Sequence, residues 1–195
     1  MEILSVLILS LLFLATGTLV LCFKISRKIS IEENSNSGED ILINNPQVYR
    51  HWHLDHLLNV EVERAERHKF IFSYVAVDFS VLLKSGRDYE VRKVLYEIIK
   101  RSTRIIDFII KGKKEGYVFL ILSEADEKQT RIVIERIRKN ITESSLKAKL
   151  DEVYFGFVCY PADATAKDLL IEYVFSTMTK IDKKQPVKSY TESLE

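Results

Sequence analysis

The chain has 195 residues, 47% apolar and 29% charged, which is room for one ordinary domain with an appendage. Its formal charge of +1, with basic and acidic residues interspersed, gives no general attraction to nucleic acid. Two cysteines, Cys22 and Cys159, stand far apart with no C-x-x-C partner; they argue against a disulfide framework or zinc site and read as small apolar fillers.

The chain opens on an apolar run from Ile3 to Phe23, interrupted only by Ser, Thr and Gly. Crossing a hydrocarbon core takes about 20 such residues, so residues 1–24 are expected to form a transmembrane helix. A cleaved signal peptide would need a basic leading segment and a shorter apolar core, whereas this chain begins Met1-Glu2. Lys24, Arg27 and Lys28 follow the run, and basic flanks stay on the cytoplasmic side. The expectation is a single-pass protein of the inner or plasma membrane whose remaining chain is cytoplasmic. Residues 25–46, rich in Ser, Asn, Gly and acidic side chains, read as a juxtamembrane linker. Residues 185–195 have few apolar groups to bury and are expected to form a flexible tail.

The domain between them, residues 47–184, begins with Gln47 to His68, where Leu54, Leu57, Leu58, Glu61, Val62 and Ala65 recur at helical spacing. An amphipathic helix is expected there, with Glu61–Arg64 and Glu63–Arg67 pairs along its surface. His51, His53, His56 and Asp55 resemble a metal-ligand cluster in composition, but on a helix only His53 and His56 share a face, so a solvated helix surface is the reading adopted. Phe70 to Phe79 is nearly all apolar and fits a central buried strand. It ends on Asp78, a place that suits a metal ligand or acid-base group, and equally a turn former.

Val91, Val94, Leu95, Ile98 and Ile99 then mark a helix with one buried stripe, and Arg104 to Leu122 is two β-branched-rich runs joined by Lys and Gly, a β-hairpin. Asp126 with Gln129 predicts a capping box opening a helix that buries Val133, Ile134, Ile137 and Ile141. Val153 to Tyr160 is a further strand, and Thr165 with Asp168 predicts a second box ahead of the last helix. The order βαββαβ specifies an α+β, ferredoxin-like sheet with added helices at both ends, a fold that hosts many functions.

From about Leu54 to Lys184 the chain carries L-x-x-E-x-x-R-A at Leu58 to Ala65, the strand ending at Asp78, R-x-x-D at Arg104 to Asp107, L-S-E-A-D at Leu122 to Asp126, and F-G-F-V-C-Y-P-A-D-A-T-A-K-D-L-L at Phe155 to Leu170. On these motifs it resembles the GGDEF (diguanylate cyclase) domain. In that family the hairpin turn carries glycines that admit a nucleoside triphosphate and an acidic residue that helps an upstream Asp hold magnesium. Here the turn reads Lys113-Lys114-Glu115-Gly116-Tyr117, with neither a glycine pair nor an acidic pair. Asp78 matches the metal Asp, with Glu115 as its vestigial companion, but Ser80 replaces a second acidic residue. The guanine-reading loop is shortened to L-K-S-G-R-D. Lys180 and Lys184 match a basic pair that meets phosphates.

These departures imply no diguanylate cyclase activity, because joining two nucleotides requires metal to offset developing charge and a grip on each base. No cofactor is expected, magnesium only with residual nucleotide binding. The resemblance implies a catalytically inactive signalling or scaffold module, paired with itself or with a partner signalling protein. An alternative is a cyclic di-GMP receptor through Arg104 and Asp107, with Lys180 and Lys184 as further nucleotide contacts; a third is a residual cyclase using Asp78 and Glu115.

Overall fold

A computed structural model describes residues 48–85 and 88–194. The apolar run Ile3 to Phe23 and the linker to residue 46 lie outside the described residues. Among those described, no helix is long and apolar enough to cross a membrane.

The expected central strand is β2, Phe72–Asp78, buried along its length as far as Val77. It pairs antiparallel with β4, Tyr117–Ser123, and with β5, Tyr154–Tyr160, so that Asp78 stands between Tyr117 and Tyr154. The hairpin joins β3, Phe108–Lys111, to β4. With β1, Val48–Tyr49, and β6, Val187–Ser189, at the edges, the six strands run β1-β3-β4-β2-β5-β6. The inner four have the ferredoxin-like arrangement, and the sheet is mixed because both edge strands pair parallel.

Strand alternation divides the core. Phe72, Tyr74 and Ala76 face α1, Leu54–His68, and α4, Lys167–Thr179, in a cluster with Leu58, Ala65, Leu170 and Val174. Val75 and Val77 face the other way, toward α2, Asp88–Ser102, and α3, Glu127–Thr142, which bring in Leu95, Ile98, Ile99, Ile134, Ile137 and Ile141. An ideal Cβ on Gly156 would sit 2.8 Å from the Met178 sulfur, so glycine here lets the last turn of α4 lie against the sheet.

Three local expectations give way. The first helix starts at Leu54, because Val48 and Tyr49 instead pair with Ile109 and Ile110 on the open edge of β3, and His51–His53 form a short 3-10 turn between. The capping box at Asp126 and Gln129 forms, with both reciprocal hydrogen bonds, but α4 is preceded by Ala166 with no side-chain cap in place of the box expected at Thr165. The tail does not fray. Phe155 N–H donates to Pro186 O at 2.8 Å and Tyr190 N–H to Phe157 O at 2.9 Å, so the β5 edge supplies a ladder that apolar content alone does not reveal. Tyr190 then stacks on Tyr173 with ring centres 4.1 Å apart, and Thr191–Leu194 closes as a 3-10 turn.

Candidate functional site

The sheet end that carries the hairpin turn holds most of the residues the resemblance singles out. Asp78 ends β2, Glu115 and Gly116 lie in the turn, and the last turn of α4 lies over Gly156, two positions beyond the Tyr154 that pairs with Asp78. Phe79 N–H donates to Gly116 O at 2.8 Å, which draws the turn onto the chain just after β2. Gly116 has φ +84°, and an ideal Cβ there would lie 2.4 Å from Ser80 Cα, so only glycine allows this approach. The backbone of the turn thereby occupies the ground beside the Ser80 position.

Each carboxylate at this end already has protein partners. Asp78 Oδ1 accepts from Ser80 N–H at 2.8 Å. Its other partner is the Tyr117 phenol, which burial, together with the hydrogen bond and charge of Asp78, holds well above the usual tyrosine range. Glu115 pairs with Arg92 of α2 at 3.0 Å. Magnesium wants near-octahedral oxygen coordination from carboxylates and substrate phosphates. With Ser80 in place of a second carboxylate, and Glu115 turned to a guanidinium, these side chains do not fit that ion. Among the described residues no three His, Cys, Asp or Glu side chains come together in a metal-binding group, the histidines around Asp55 included. His51, His53 and His56 are solvent-exposed, and Asp55 pairs with Lys167 at 2.6 Å.

The remaining turn residues carry no carboxylate. Lys113 and Lys114 are exposed, and Lys114 Nζ lies 4.9 Å over the Tyr117 ring. Lys180 donates to Ser193 O at 2.6 Å and so clasps the C-terminal turn, while Lys184 is exposed with its backbone N–H on Asp182. Gly86 and Arg87 of the shortened loop lie outside the described residues.

Arg104 and Asp107 lie at the opposite sheet end and are brought together, though by main chain. Asp107 N–H donates to Arg104 O at 3.1 Å, and the Asp107 carboxylate accepts from Arg104 N–H at 2.6 Å and Ser123 N–H at 3.2 Å. The residue is only 4% exposed, and burial raises its pKa above the ordinary carboxylate value despite those donors and the charges of Arg104 and Arg136. Asp107 is therefore a turn lock, each of its oxygens accepting from a backbone N–H and the side chain buried away from solvent. The cavity bounded by Arg104, Asp107, Gln129 and Arg136 is about 70 Å³, whereas small-molecule pockets run to about 300–1,000 Å³.

Residue patterns missed three functional or structural partners. Arg92, one turn into α2, carried no signal of its reach to the hairpin. Tyr117 reads in the sequence as the close of the turn, whereas it begins β4. Glu61, expected on the surface, is completely buried, paired with Arg64 at 2.8 Å and accepting from Ser123 Oγ at 2.9 Å. Its place between Leu58 and Ala65 on the apolar stripe was the available clue.

No family model and no curated protein match the chain. Solved structures do. The diguanylate cyclase SiaD of Pseudomonas aeruginosa, solved with its activator SiaC, superposes with a TM-score of 0.61 at 15% identity, covering 93% of this chain and 76% of that one. The FimX GGDEF domain of the same organism gives 0.61 at 9% identity, covering 74% and 96%. The GGDEF domain of DgcB from Caulobacter crescentus, in complex with c-di-GMP, gives 0.58 at 14% identity, covering 73% and 91%. At such identities the likeness defines the fold: a mixed six-stranded sheet with four helices, of the GGDEF-domain type.

Proposed function

We propose that the chain is a membrane-anchored, catalytically inactive GGDEF-like signalling or scaffold module, held on the cytoplasmic side by the Ile3 to Phe23 segment. The observation that carries the reading is the closure of the sheet end around Asp78. The Gly116 backbone rests on Ser80, Asp78 is engaged by Ser80 N–H and the Tyr117 phenol, and Glu115 is engaged by Arg92. A site for metal and triphosphate needs those oxygens and that space. The SiaD structure contains a protein activator, which supports a partner protein as the ligand of a module without chemistry of its own.

The second reading is a cyclic di-GMP receptor. It draws on the exposed Arg104 beside Arg136, and on the complex formed by the DgcB domain. Phosphate contacts of this charge-assisted kind are worth about 1.5–3 kcal/mol each. Titration of the detergent-solubilised chain with GTP and with cyclic di-GMP, followed by calorimetry and by product chromatography, separates the readings. The expected result is no turnover of GTP. Turnover that disappears in Asp78→Ala overturns the inactive module in favour of a residual cyclase, and saturable cyclic di-GMP binding lost in Arg104→Ala installs the receptor reading.

A further inference from the structure

The turn Arg104 to Asp107 displays two isoleucines to solvent, Ile105 at 87% and Ile106 at 49% exposure. Their display is fixed by the fold, because the Asp107 carboxylate ties the turn to its own backbone and to Ser123. A basic surface lies beside it. Arg136 donates to Ser102 O at 3.1 Å and Arg101 to Asn140 O at 3.5 Å, which brings the last turn of α2 against α3, and Arg104 and Arg136 line one cavity. These hydrogen bonds of Arg101 and Arg136 go to carbonyls, while the Asp107 carboxylate offsets part of the charge of Arg104 and Arg136. Apolar tips beside Arg side chains suit an interface with hydrocarbon on one side and phosphate on the other.

The connection of the chain points the same way. β1 runs parallel to β3 with Val48 opposite Ile109, so the described residues begin at the sheet end that carries this turn. Residues 25–46 span at most about 75 Å when fully extended, so an anchor at residues 1–24 would keep the domain within that reach of the bilayer and raise its effective concentration there.

Resting on the membrane-anchor reading above, we propose that the Arg104–Asp107 turn is a second membrane contact, inserting Ile105 and Ile106 among anionic lipid headgroups while Arg101, Arg104 and Arg136 meet their phosphates. The turn orients the domain on the leaflet and leaves the hairpin end facing away.

The test uses the full chain in vesicles, in a Cys22→Ser background with an environment-sensitive fluorophore at Ile105→Cys and, as control, at Lys113→Cys. Cys159 does not compete for the label, since it is buried and its thiol is pushed up to about 11, chiefly by burial. With phosphatidylserine present, a nitroxide-bearing lipid is expected to quench the probe at residue 105 several-fold more than the probe at 113. The difference shrinks in phosphatidylcholine alone, in raised salt, and in the triple variant Arg101→Gln, Arg104→Gln, Arg136→Gln; the salt arm needs no variant to fold. Equal quenching at the two positions overturns the proposal, as does a concentration-dependent blue shift at residue 105 in detergent without lipid, which assigns the surface to a second copy. Alkaline carbonate distinguishes the two readings: a chain that is retained yet unquenched sinks only the second contact, whereas a chain that washes off removes the anchor and this inference together.

Discussion

Glu61 is a carboxylate without access to water, and two interactions make it tolerable. Arg64 supplies charge at 2.8 Å from a half-exposed position, and Ser123 Oγ donates at 2.9 Å from the end of β4. Removing Arg64 strands the charge, so Arg64→Ala should cost about 3–5 kcal/mol in urea unfolding, whereas Ser123→Ala, which loses one hydrogen bond, should cost about 1–2 kcal/mol. Equal small losses would show that the Arg64 contact contributes no more than a single hydrogen bond. Asp107 carries a pH dependence of definite sign. Its native pKa is raised by burial, so the folded state holds that proton more tightly than the unfolded chain does. Stability relative to the non-titrating Asp107→Asn should therefore be greatest below the unfolded aspartate pKa of about 3.9, fall as pH rises from there through the native pKa, and stay flat above it. A carboxyl carbon titration by NMR should place its midpoint above the ordinary aspartate range.

At the scale of elements, periodic apolar patterns identified the secondary structure that burial dictates, and failed where pairing of open backbone decided. β2, the hairpin, α2 and α3 follow from apolar spacing, and the capping box at Asp126 from local hydrogen bonding. Val48, Tyr49 and the segment from Val187 form strands because they meet unpaired sheet edges, and no local pattern announces a distant edge. The same limit applies to the site. Asp78 and Glu115 were readable as vestigial ligands, but the closure by Arg92, Tyr117 and the Gly116 approach to Ser80 joins residues far apart in sequence. The edge strand yields a prediction. Ending the chain after Lys184 removes β6, the Tyr190–Tyr173 stack and the carbonyl that Lys180 clasps. It should lower the thermal midpoint by roughly 5–10 °C, as expected for a loss of about 2 kcal/mol in a domain of this size. A fall of under about 1 °C by differential scanning fluorimetry would mean that the segment only rests on the sheet.

The described domain separates two sheet ends with different properties: a hairpin end where the carboxylates around Asp78 are engaged by the protein itself, and an end where the turn Arg104–Asp107 and the start of β1 lie together. In the proposed module the first has lost its chemistry and the second supplies location, so restoring single residues at the first should not restore activity. Ser80→Asp is the sharpest case, since it recreates a D-x-D pair with Asp78. The backbone N–H at residue 80 would still hold Asp78 Oδ1, the Gly116 backbone would still press on the residue 80 Cα, and Glu115 would still face Arg92. Two carboxylates two residues apart on an extended segment, with one already hydrogen-bonded, offer magnesium no more than a fragment of its coordination sphere. Calorimetric titration of the Ser80→Asp chain with magnesium and a non-hydrolysable GTP analogue should therefore show no binding heat above the unmodified chain. Tight, magnesium-dependent uptake of the analogue would establish that the hairpin end opens readily, and that the loss of one carboxylate rather than closure of the site is what silences it.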